Sequence, residues 1–403
     1  MLDNFDDEIK RRGLDTVLVI GESTLGNPEL AYVTGTAIPR GGIFLKRIGQ
    51  RPLLIVSNID VGAAKRGCVR EIQTYTDYGY EKLMKQYGRE RGYIKFLDLI
   101  LQSLGTRGDI GIYSRNEFSH LLSVTDSIRK LGYKVAGEAD ASLIESLRET
   151  KDPAEIDKIR NVGLRAKHVV ESVLEMLREC TVTSGKLRLE RKVLTVGMVK
   201  SRICALLAEQ DLMAPEGTIF AVGPSSADPH EMGIAWEPIR AGVPLMFDLF
   251  PLGADGYWFD LTRTYVVGKP SLKVKRMFDT VQEVQIRTLD SIIEGTQASE
   301  VMNMACDLFK RHGFKTIREL LRGDRNATKV GFIHSLGHGV GLTIGERPYL
   351  NLFSDEKLRR GHVVTVEPGL YEPGVGGVRI EDTVVITKRG IDDLTPLEKE
   401  LRI

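Results

Sequence analysis

The chain has 403 residues, of which 42% are hydrophobic, so it is long enough for more than one domain with a sizeable core. Its 56 lysine and arginine residues nearly balance its 55 aspartate and glutamate residues, and the formal net charge is only +1. Without a strong positive field, nucleic acid and anionic membrane surfaces are excluded as principal partners.

The stretch up to Asp15 is charged and lacks the apolar centre of a signal peptide, and no apolar run approaches the roughly 18 residues of a spanning helix. We therefore expect a cytoplasmic protein. The cysteines are widely spaced and form no C-x-x-C pair, which favours reduced thiols over disulfides or a zinc site. They are Cys68, Cys180, Cys204 and Cys306.

Strand-like and helical patterns alternate through residues 1–145, which predicts an α/β domain. No G-x-G-x-x-G or P-loop motif follows a strand there, so a nucleotide site is not expected. The expected helices lie at 3–13 and 117–132, and the expected strands at 15–21, 40–47, 51–58, 108–114 and 133–140.

A second domain is predicted over residues 146–403. Asp152 followed by Pro153 is a favoured helix start, and the helical pattern continues to Cys180. A further largely helical stretch is predicted at 186–212, then a strand that leads into a loop ending at His230. Two amphipathic helices are predicted between residues 269 and 314, and the remainder is dominated by β-like runs.

Two acidic residues lie within otherwise apolar sequence, Asp248 in MFDLF and Asp260 in GYWFDLTRT. A turn-rich segment joins these runs, so we expect two strands of a hairpin with the two acids facing each other. Half-buried carboxylates at such range repel, so a proton or a cation must lie between them. The alternative is a hairpin whose acids point to solvent.

Further candidates lie in the C-terminal third: His338 in GHGVG, Glu367 in VVTVEPG and Glu381 in GVRIEDTVVI. The glycines around His334 and His338 favour loop and strand over helix, and the H-E-x-x-H zinc motif is absent. Carboxylates within β-branched runs need partners. One imidazole and four carboxylates suit two divalent cations such as Mn²⁺, Co²⁺, Fe²⁺ or Zn²⁺, and a metal pair is the equipment of a hydrolase.

These motifs together resemble the pita-bread metallopeptidases, and the two-domain layout is similar to the branch of Xaa-Pro dipeptidase (prolidase), aminopeptidase P and creatinase. The matching motifs are D…GYxxD-x-TRT, GHGxG, TVEPGxY and GxRxED. The resemblance implies a set of five metal ligands. They are Asp248, Asp260, His338, Glu367 and Glu381.

The resemblance implies an α/β (α+β) fold, in which a creatinase-like α/β domain over 1–145 serves dimerisation or substrate access. A pita-bread catalytic domain over 146–403 follows. It also implies a homodimer with two divalent metal ions per site, Mn²⁺ or Co²⁺ before Zn²⁺ or Fe²⁺. The implied activity is hydrolysis of Xaa-Pro bonds in short proline-containing peptides by a metal-bridging water.

Further roles follow from the same resemblance. His230 is expected to contact substrate and shuttle protons, and His334 to line the Xaa-Pro pocket and assist catalysis. Tyr371 and Arg379 are expected to bind substrate and to support the metal-binding acids, and Arg379 is also expected to assist catalysis. Glu367 is expected to take the proton of the attacking water.

Two departures from the family pattern stand out. In GLTIGERP, Gly345 occupies the place of a histidine that touches the scissile carbonyl or stabilises the oxyanion, and losing one such donor typically costs about 10²–10³ in rate. The separation of Asp248 and Asp260 is one residue longer than expected, with Pro251 in the extra length, and Phe259 replaces a small polar residue. The alternatives are therefore a binding protein with weakened or lost peptidase activity, or a hydrolase of a different small amide.

Overall fold

The computed structural model describes residues 4–322 and 330–403. The chain divides into two compact units, Met1–Arg148 and Glu149–Ile403. Within the two described ranges, none of the helices combines the length and apolar character needed to cross a membrane. The predicted N-terminal helix is observed, although residue 3, where it was expected to start, lies outside the described residues.

The first unit is built on a six-stranded mixed sheet in the order β4-β3-β2-β1-β5-β6. β1 pairs antiparallel with β2 and parallel with β5, and all of its residues are buried, as expected for a continuous apolar strand. The strands are β1 (Thr16–Gly21), β2 (Gly42–Arg47), β3 (Leu53–Val56), β4 (Glu71–Thr74), β5 (Asp109–Ser114) and β6 (Lys134–Ala136). The helices are α1 (Phe5–Arg11), α2 (Pro28–Thr34), α3 (Val61–Ala64), α4 (Tyr80–Tyr87), α5 (Arg89–Ser103), α6 (Phe118–Lys130) and α7 (Leu143–Glu149), whose last residue falls in the second unit.

The second unit combines helices with several antiparallel sheets, among them a five-stranded sheet of order β16-β15-β17-β20-β21 and two three-stranded sheets, β11-β12-β14 and β7-β8-β9. Its helices are α8 (Pro153–Arg178), α9 (Val196–Glu209), α10 (Leu272–Ser291), α11 (Ala298–Arg311) and α12 (Ile317–Leu321). Its strands are β7 (Thr181–Thr183), β8 (Lys186–Leu189), β9 (Lys192–Val193), β10 (Leu212–Met213), β11 (Ile219–Val222), β12 (Leu245–Leu249), β13 (Leu252–Gly253), β14 (Leu261–Tyr265), β15 (Gly337–Val340), β16 (Ile344–Leu350), β17 (Val363–Val366), β18 (Gly369–Glu372), β19 (Gly376–Arg379), β20 (Asp382–Thr387) and β21 (Gly390–Asp393).

The start of α8 is fixed by a local signal that the sequence showed. The Asp152 carboxylate accepts a hydrogen bond from the Glu155 backbone N–H, the Glu155 carboxylate accepts one from the Asp152 N–H, and Pro153 occupies the first turn. This reciprocal capping satisfies two N–H groups that a helix start leaves without partners. The predicted helix start is confirmed.

The predicted helical stretch at 186–212 is only partly right. Residues 186–193 form the β8–β9 hairpin, and the helix begins at Val196, where the Thr195 hydroxyl accepts from the Met198 N–H. Glu190 and Arg191 adopt positive φ values of 47° and 68° at the turn, which a helix does not allow. Charged and apolar residues alternate in Lys-Leu-Arg-Leu, which is the period of a strand.

The three-stranded sheet β11-β12-β14 and the five-stranded sheet approach each other through residues that prove important at the site. Thr262 of β14 bridges to Glu381, whose backbone N–H donates to the Thr262 carbonyl at 3.0 Å. From α10, the buried Gln285 side chain donates to the Val366 and Ile380 carbonyls at 3.2 and 3.3 Å. These contacts hold the strand ends that carry Glu367 and Glu381 in place.

Candidate metal centre

Asp248 and Asp260 are near each other but not directly opposite. In the β12–β14 pair Asp248 faces Thr262, and Asp260 lies one residue before β14 begins. The expectation that the two acids face each other is therefore corrected to a diagonal arrangement. In the segment between the two acids, Pro251 is followed by β13, and its carbonyl accepts a hydrogen bond from the Phe259 N–H at 3.0 Å.

Phe259 is fully buried and packs on α8. A Cβ atom at Gly163 of α8 would lie 2.5 Å from the Phe259 ring, so only glycine fits beneath it. The large residue before Asp260 is thus accommodated by the absence of a side chain on the facing helix.

His338 presents a free lone pair towards the acids. Its Nδ1 lies 3.1 Å from the Gly339 carbonyl oxygen, which only accepts hydrogen bonds, so Nδ1 carries the hydrogen. Nε2 lies 3.6 Å from Asp260 Oδ2 and 3.6 Å from Glu367 Oε1. Metal-binding histidines typically have their second nitrogen held in this way by a carbonyl or carboxylate.

The side chains of Asp260, His338 and Glu381 each offer a ligand atom, and these atoms all lie within 4.8 Å of one another. At this site three buried carboxylate oxygens have no hydrogen-bond partner among the described residues: Asp248 Oδ1, Asp260 Oδ1 and Glu381 Oε1. Buried polar atoms without partners are costly and rare. Their convergence around His338 defines a site that could hold divalent cations.

Burial raises the pKa of all four carboxyl groups above their ordinary values, in the case of Glu367 to about 8. Repulsion from the neighbouring carboxylates adds to the increase at Asp260 and Glu381, whereas Arg379 opposes it. A single guanidinium does not balance four buried carboxylates, and divalent cations would supply the positive charge that this site lacks.

The Arg379 side chain holds two of the acidic side chains in position. It is buried and pairs with Asp248 Oδ2, and its Nε donates to the Thr262 hydroxyl at 3.1 Å. The Thr262 hydroxyl in turn donates to Glu381 Oε2 at 2.7 Å. Arg379 thus holds Asp248 directly and Glu381 through Thr262.

Arg379 also connects to a neutral chain of hydrogen bonds. Its Nη1 donates to the Tyr371 hydroxyl at 2.9 Å, and that hydroxyl lies 3.0 Å from His334 Nε2. His334 Nδ1 is 2.7 Å from the Ser335 carbonyl, so Nδ1 donates and Nε2 accepts from Tyr371. Burial lowers the pKa of His334 to about 3, so this imidazole is uncharged at neutral pH.

His230 lies on the exposed loop that follows a short 3₁₀ helix, Gly223–Ala227. Its backbone N–H donates to Asp228 Oδ1 at 3.1 Å. The carbonyl of its neighbour Pro229 accepts from Arg379 at 3.2 Å, so the loop is tied to the same arginine as the acids. His230 is close enough to His334 to lower the pKa of His334 electrostatically, although burial is the main cause.

Gly345 is exposed and has a φ of 74°, with no atom within 4 Å of where a Cβ would lie. The position has room for a side chain, but its backbone is in the left-handed region that favours glycine. The next residue, Glu346, is buried and pairs with Lys151 Nζ at 2.6 Å. This pair fixes the strand immediately beside Gly345.

The TRT motif is part of the family resemblance, but no role was predicted for its residues. Besides Thr262, the buried Arg263 side chain donates to the Glu381 carbonyl at 2.6 Å and to Asp382 Oδ1 at 2.7 Å. The Thr264 hydroxyl donates to the Arg379 carbonyl at 2.9 Å and accepts from its N–H at 3.0 Å. Three consecutive polar residues within an otherwise apolar stretch are the sequence signal from which such a network could have been inferred.

Comparisons with known proteins identify the family. Residues 157–388 match the model of metallopeptidase family M24. A Pyrococcus furiosus protein named Xaa-Pro dipeptidase is 33% identical over 295 residues, which cover 71% of this chain and 79% of that protein. A protein of the same name from Pyrococcus horikoshii is 32% identical over 393 residues, covering 97% of this chain and 95% of the relative.

The solved structure of the prolidase from Pyrococcus horikoshii superimposes with a TM-score of 0.75 at 27% sequence identity and covers 99% of both chains. Fold, site and relatives together define a metal-dependent peptidase. The chain belongs to metallopeptidase family M24. The predicted fold class, an N-terminal α/β domain followed by a pita-bread domain, is confirmed.

Proposed function

We propose that the chain is a two-metal hydrolase that cleaves Xaa-Pro bonds in dipeptides or short peptides. The observation that carries the proposal is the buried cluster in which His338 meets carboxylates that have three oxygens without partners. The relatives named Xaa-Pro dipeptidase support the substrate class. The substrate is thus proposed to be a short proline-containing peptide.

The residues present fit the divalent ions that the family implies. Asp248, Asp260, His338, Glu367 and Glu381 supply hard oxygen ligands and one imidazole, and four carboxylate charges balance two divalent cations. We propose Mn²⁺ or Co²⁺ as the ions, with Zn²⁺ or Fe²⁺ also compatible with this ligand set. When bound, such ions lower the pKa of water and polarise a carbonyl.

The protein's own groups handle positioning and protons. Glu367 takes the proton that the attacking water loses, and His230, on the loop tied to Arg379, passes a proton to the leaving prolyl nitrogen. Arg379 keeps Asp248 and Thr262 in fixed positions, so the acids are held before substrate arrives. His334 and Tyr371 lie 3.0 Å apart and stay neutral, and we assign them to the wall of the substrate pocket.

A second candidate, a hydrolase of a different small amide, is favoured by Gly345. No side chain at this position donates a hydrogen bond to a developing oxyanion, a loss that typically costs about 10²–10³ in rate. A substrate whose carbonyl does not depend on that donor would be cleaved without the penalty. A binding protein that keeps the metals but lacks turnover is the remaining alternative.

The test is a peptide panel assayed with the Mn²⁺- or Co²⁺-loaded protein: an Xaa-Pro dipeptide, an Xaa-Pro-Xaa tripeptide and a Met-Ala-Ser peptide. Cleavage of the dipeptide supports a dipeptidase, and preference for the tripeptide supports an aminopeptidase P type. Cleavage of none of the Xaa-Pro substrates above the rate of chelated protein would refute the proposal.

Gly345→His should be run beside Gly345→Ala, because both carry the strain of a side chain at positive φ, about 1 kcal/mol, and only the former supplies a donor. If the histidine variant alone gains Xaa-Pro activity, the missing donor limits the native protein. If the native protein is inactive and neither variant gains activity, the binding-protein alternative is favoured.

The predicted homodimer, the role of the first domain in dimerisation or substrate access, and the cytoplasmic location stay predictions. Sedimentation equilibrium of the metal-loaded protein would test the dimer. Fractionation of the source cells would test the location.

A further inference from the structure

The first unit contains a cavity of about 540 Å³, within the size range of small-molecule sites. Its lining includes Ile20, Gly21 and Glu22 at the end of β1, and Asn116, which follows β5. β1 and β5 are parallel neighbours in the sheet. The cavity therefore lies at the carboxyl ends of two adjacent parallel strands, which is where open α/β sheets characteristically bind ligands.

Tyrosine rings form one wall of this cavity. Tyr75 and Tyr80 have ring centroids 5.4 Å apart, and they lie 5.4 and 5.0 Å from the buried ring of Phe96. Tyr93 lies 6.3 Å from the same ring and 6.5 Å from that of His120. This packing fixes the ring planes, so the wall is formed before any ligand arrives.

The hydroxyl groups of Tyr75, Tyr80 and Tyr93 make no hydrogen bond to other described residues. Tyr75, Tyr80 and Glu22 lie close to Tyr93. Burial raises the pKa of Tyr93, and the charges of these three neighbours raise it further. All three residues are half-buried, so water can reach these hydroxyl groups in the cavity. A polar group of a ligand can replace that water, which makes the three phenols available for recognition.

The acidic and basic residues that line the cavity are equal in number. Two acids, Glu22 and Glu90, and two arginines, Arg40 and Arg89, line the cavity, and none of the four forms an ion pair with another residue of the described ranges. Arg89 is the first residue of α5, where the helix end also favours negative charge. The lining also contains three buried apolar residues, namely Ile20, Ile43 and Val124.

We propose that this cavity binds a zwitterionic α-amino acid with a large apolar or aromatic side chain. The ammonium group is recognised by Glu22 and the phenols, the carboxylate by Arg89 and the start of α5, and the side chain by the apolar floor. A ligand with both charges and no net charge matches a lining with equal numbers of acids and arginines. The proposal concerns the first unit alone and holds whether or not the second unit cleaves Xaa-Pro bonds.

The test is isothermal titration calorimetry of the metal-loaded whole protein with L-phenylalanine. We expect binding that is about fivefold weaker in Tyr93→Phe, which loses one neutral hydrogen bond, and about tenfold weaker in Glu22→Gln and in Arg89→Gln. The matched controls are Tyr87→Phe and Glu71→Gln, which remove the same groups outside the cavity and should bind like the native protein. Phenethylamine and 3-phenylpropanoate, each with one charge, should bind at least about tenfold more weakly than L-phenylalanine.

The position of the bound amino acid is tested with Asp260→Asn, which should keep the L-phenylalanine affinity. Loss of binding in Asp260→Asn with unchanged binding in the cavity variants would place the amino acid at the metal centre and overturn the proposal. Absence of binding to the native protein, or equal binding of the singly charged analogues, would also overturn it. The proposal would also be overturned if the cavity variants changed the sedimentation coefficient of the ligand-free protein but left its affinity for L-phenylalanine unchanged. The cavity would then be an interface between copies of this chain.

Discussion

Thr262→Val removes one hydroxyl group from the centre of the candidate site while keeping the shape of the side chain. Thr262 is fully buried, accepts from Arg379 Nε at 3.1 Å and donates to Glu381 Oε2 at 2.7 Å. The variant therefore removes the hydrogen-bonded link between Arg379 and Glu381. We expect weaker metal binding although the proposed ligands remain present.

The magnitude follows from the bond that is lost. A hydrogen bond to a charged group contributes about 1.5–3 kcal/mol, and loss of a residue that orients a metal ligand typically costs about 10–100-fold in metal affinity. The matched control is Thr264→Val, two residues along the same strand. Its hydroxyl bonds only the backbone of Arg379, at 2.9 and 3.0 Å, and touches none of the acids.

The assay is a competition titration of Co²⁺ between the metal-free protein and a chelator of known affinity, with urea unfolding of each variant alongside. Both valine variants should lose about 1–3 kcal/mol of stability, because each leaves buried polar groups without partners. Only Thr262→Val should lose metal affinity. Native-like affinity in Thr262→Val, or an equal loss in Thr264→Val, would refute the assigned role of Thr262.

Three further predictions concern packing, pH and metal. Gly163→Ala should destabilise the protein by about 1–3 kcal/mol in urea unfolding, although alanine is the better helix former, because its Cβ would lie 2.5 Å from the buried Phe259 ring; a more stable variant would contradict this packing. Burial lowers the pKa of His362 to about 3, so between about pH 3 and 6.5 the unfolded chain holds a proton there that the folded chain lacks, and stability falls with falling pH by up to about 1.4 kcal/mol per unit. His362→Asn keeps an acceptor for the Arg359 N–H but does not titrate, so its stability should fall less steeply over this range, whereas an unchanged slope would refute the assignment. Chelation of the metal-loaded protein should lower its melting temperature and readdition of Mn²⁺ should restore it, because ions that bind only the folded chain stabilise it; an unchanged melting temperature would count against a metal centre in this fold.

Local signals in the sequence were sufficient where the structure depends on near neighbours. Asp152 and Pro153 start α8 through bonds within one turn, and the apolar run of β1 forms a fully buried strand. The hairpin at 186–193 was missed because its turn depends on positive φ at Glu190 and Arg191, residues that carry no turn signal of their own.

The residues of the site could be named from their motifs, but their arrangement could not. Thr262 meets Glu381 across 119 residues of sequence, and only the approach of two sheets brings them together. The diagonal placement of Asp248 and Asp260 depends on the register between β12 and β14. Such long-range registers leave no trace in a motif.

The proposed two-metal centre is tested most directly by measuring bound Mn²⁺ and the rate of Xaa-Pro dipeptide cleavage in the same preparations of native protein, Asp260→Asn and Asp255→Asn. Asp255 is an exposed acid in the same loop and provides the matched control. We predict two ions per chain and cleavage in the native protein and in Asp255→Asn, with fewer ions and at least about a hundredfold lower rate in Asp260→Asn. A native protein that binds no Mn²⁺, or an Asp260→Asn variant that cleaves the dipeptide at the native rate, would contradict the account.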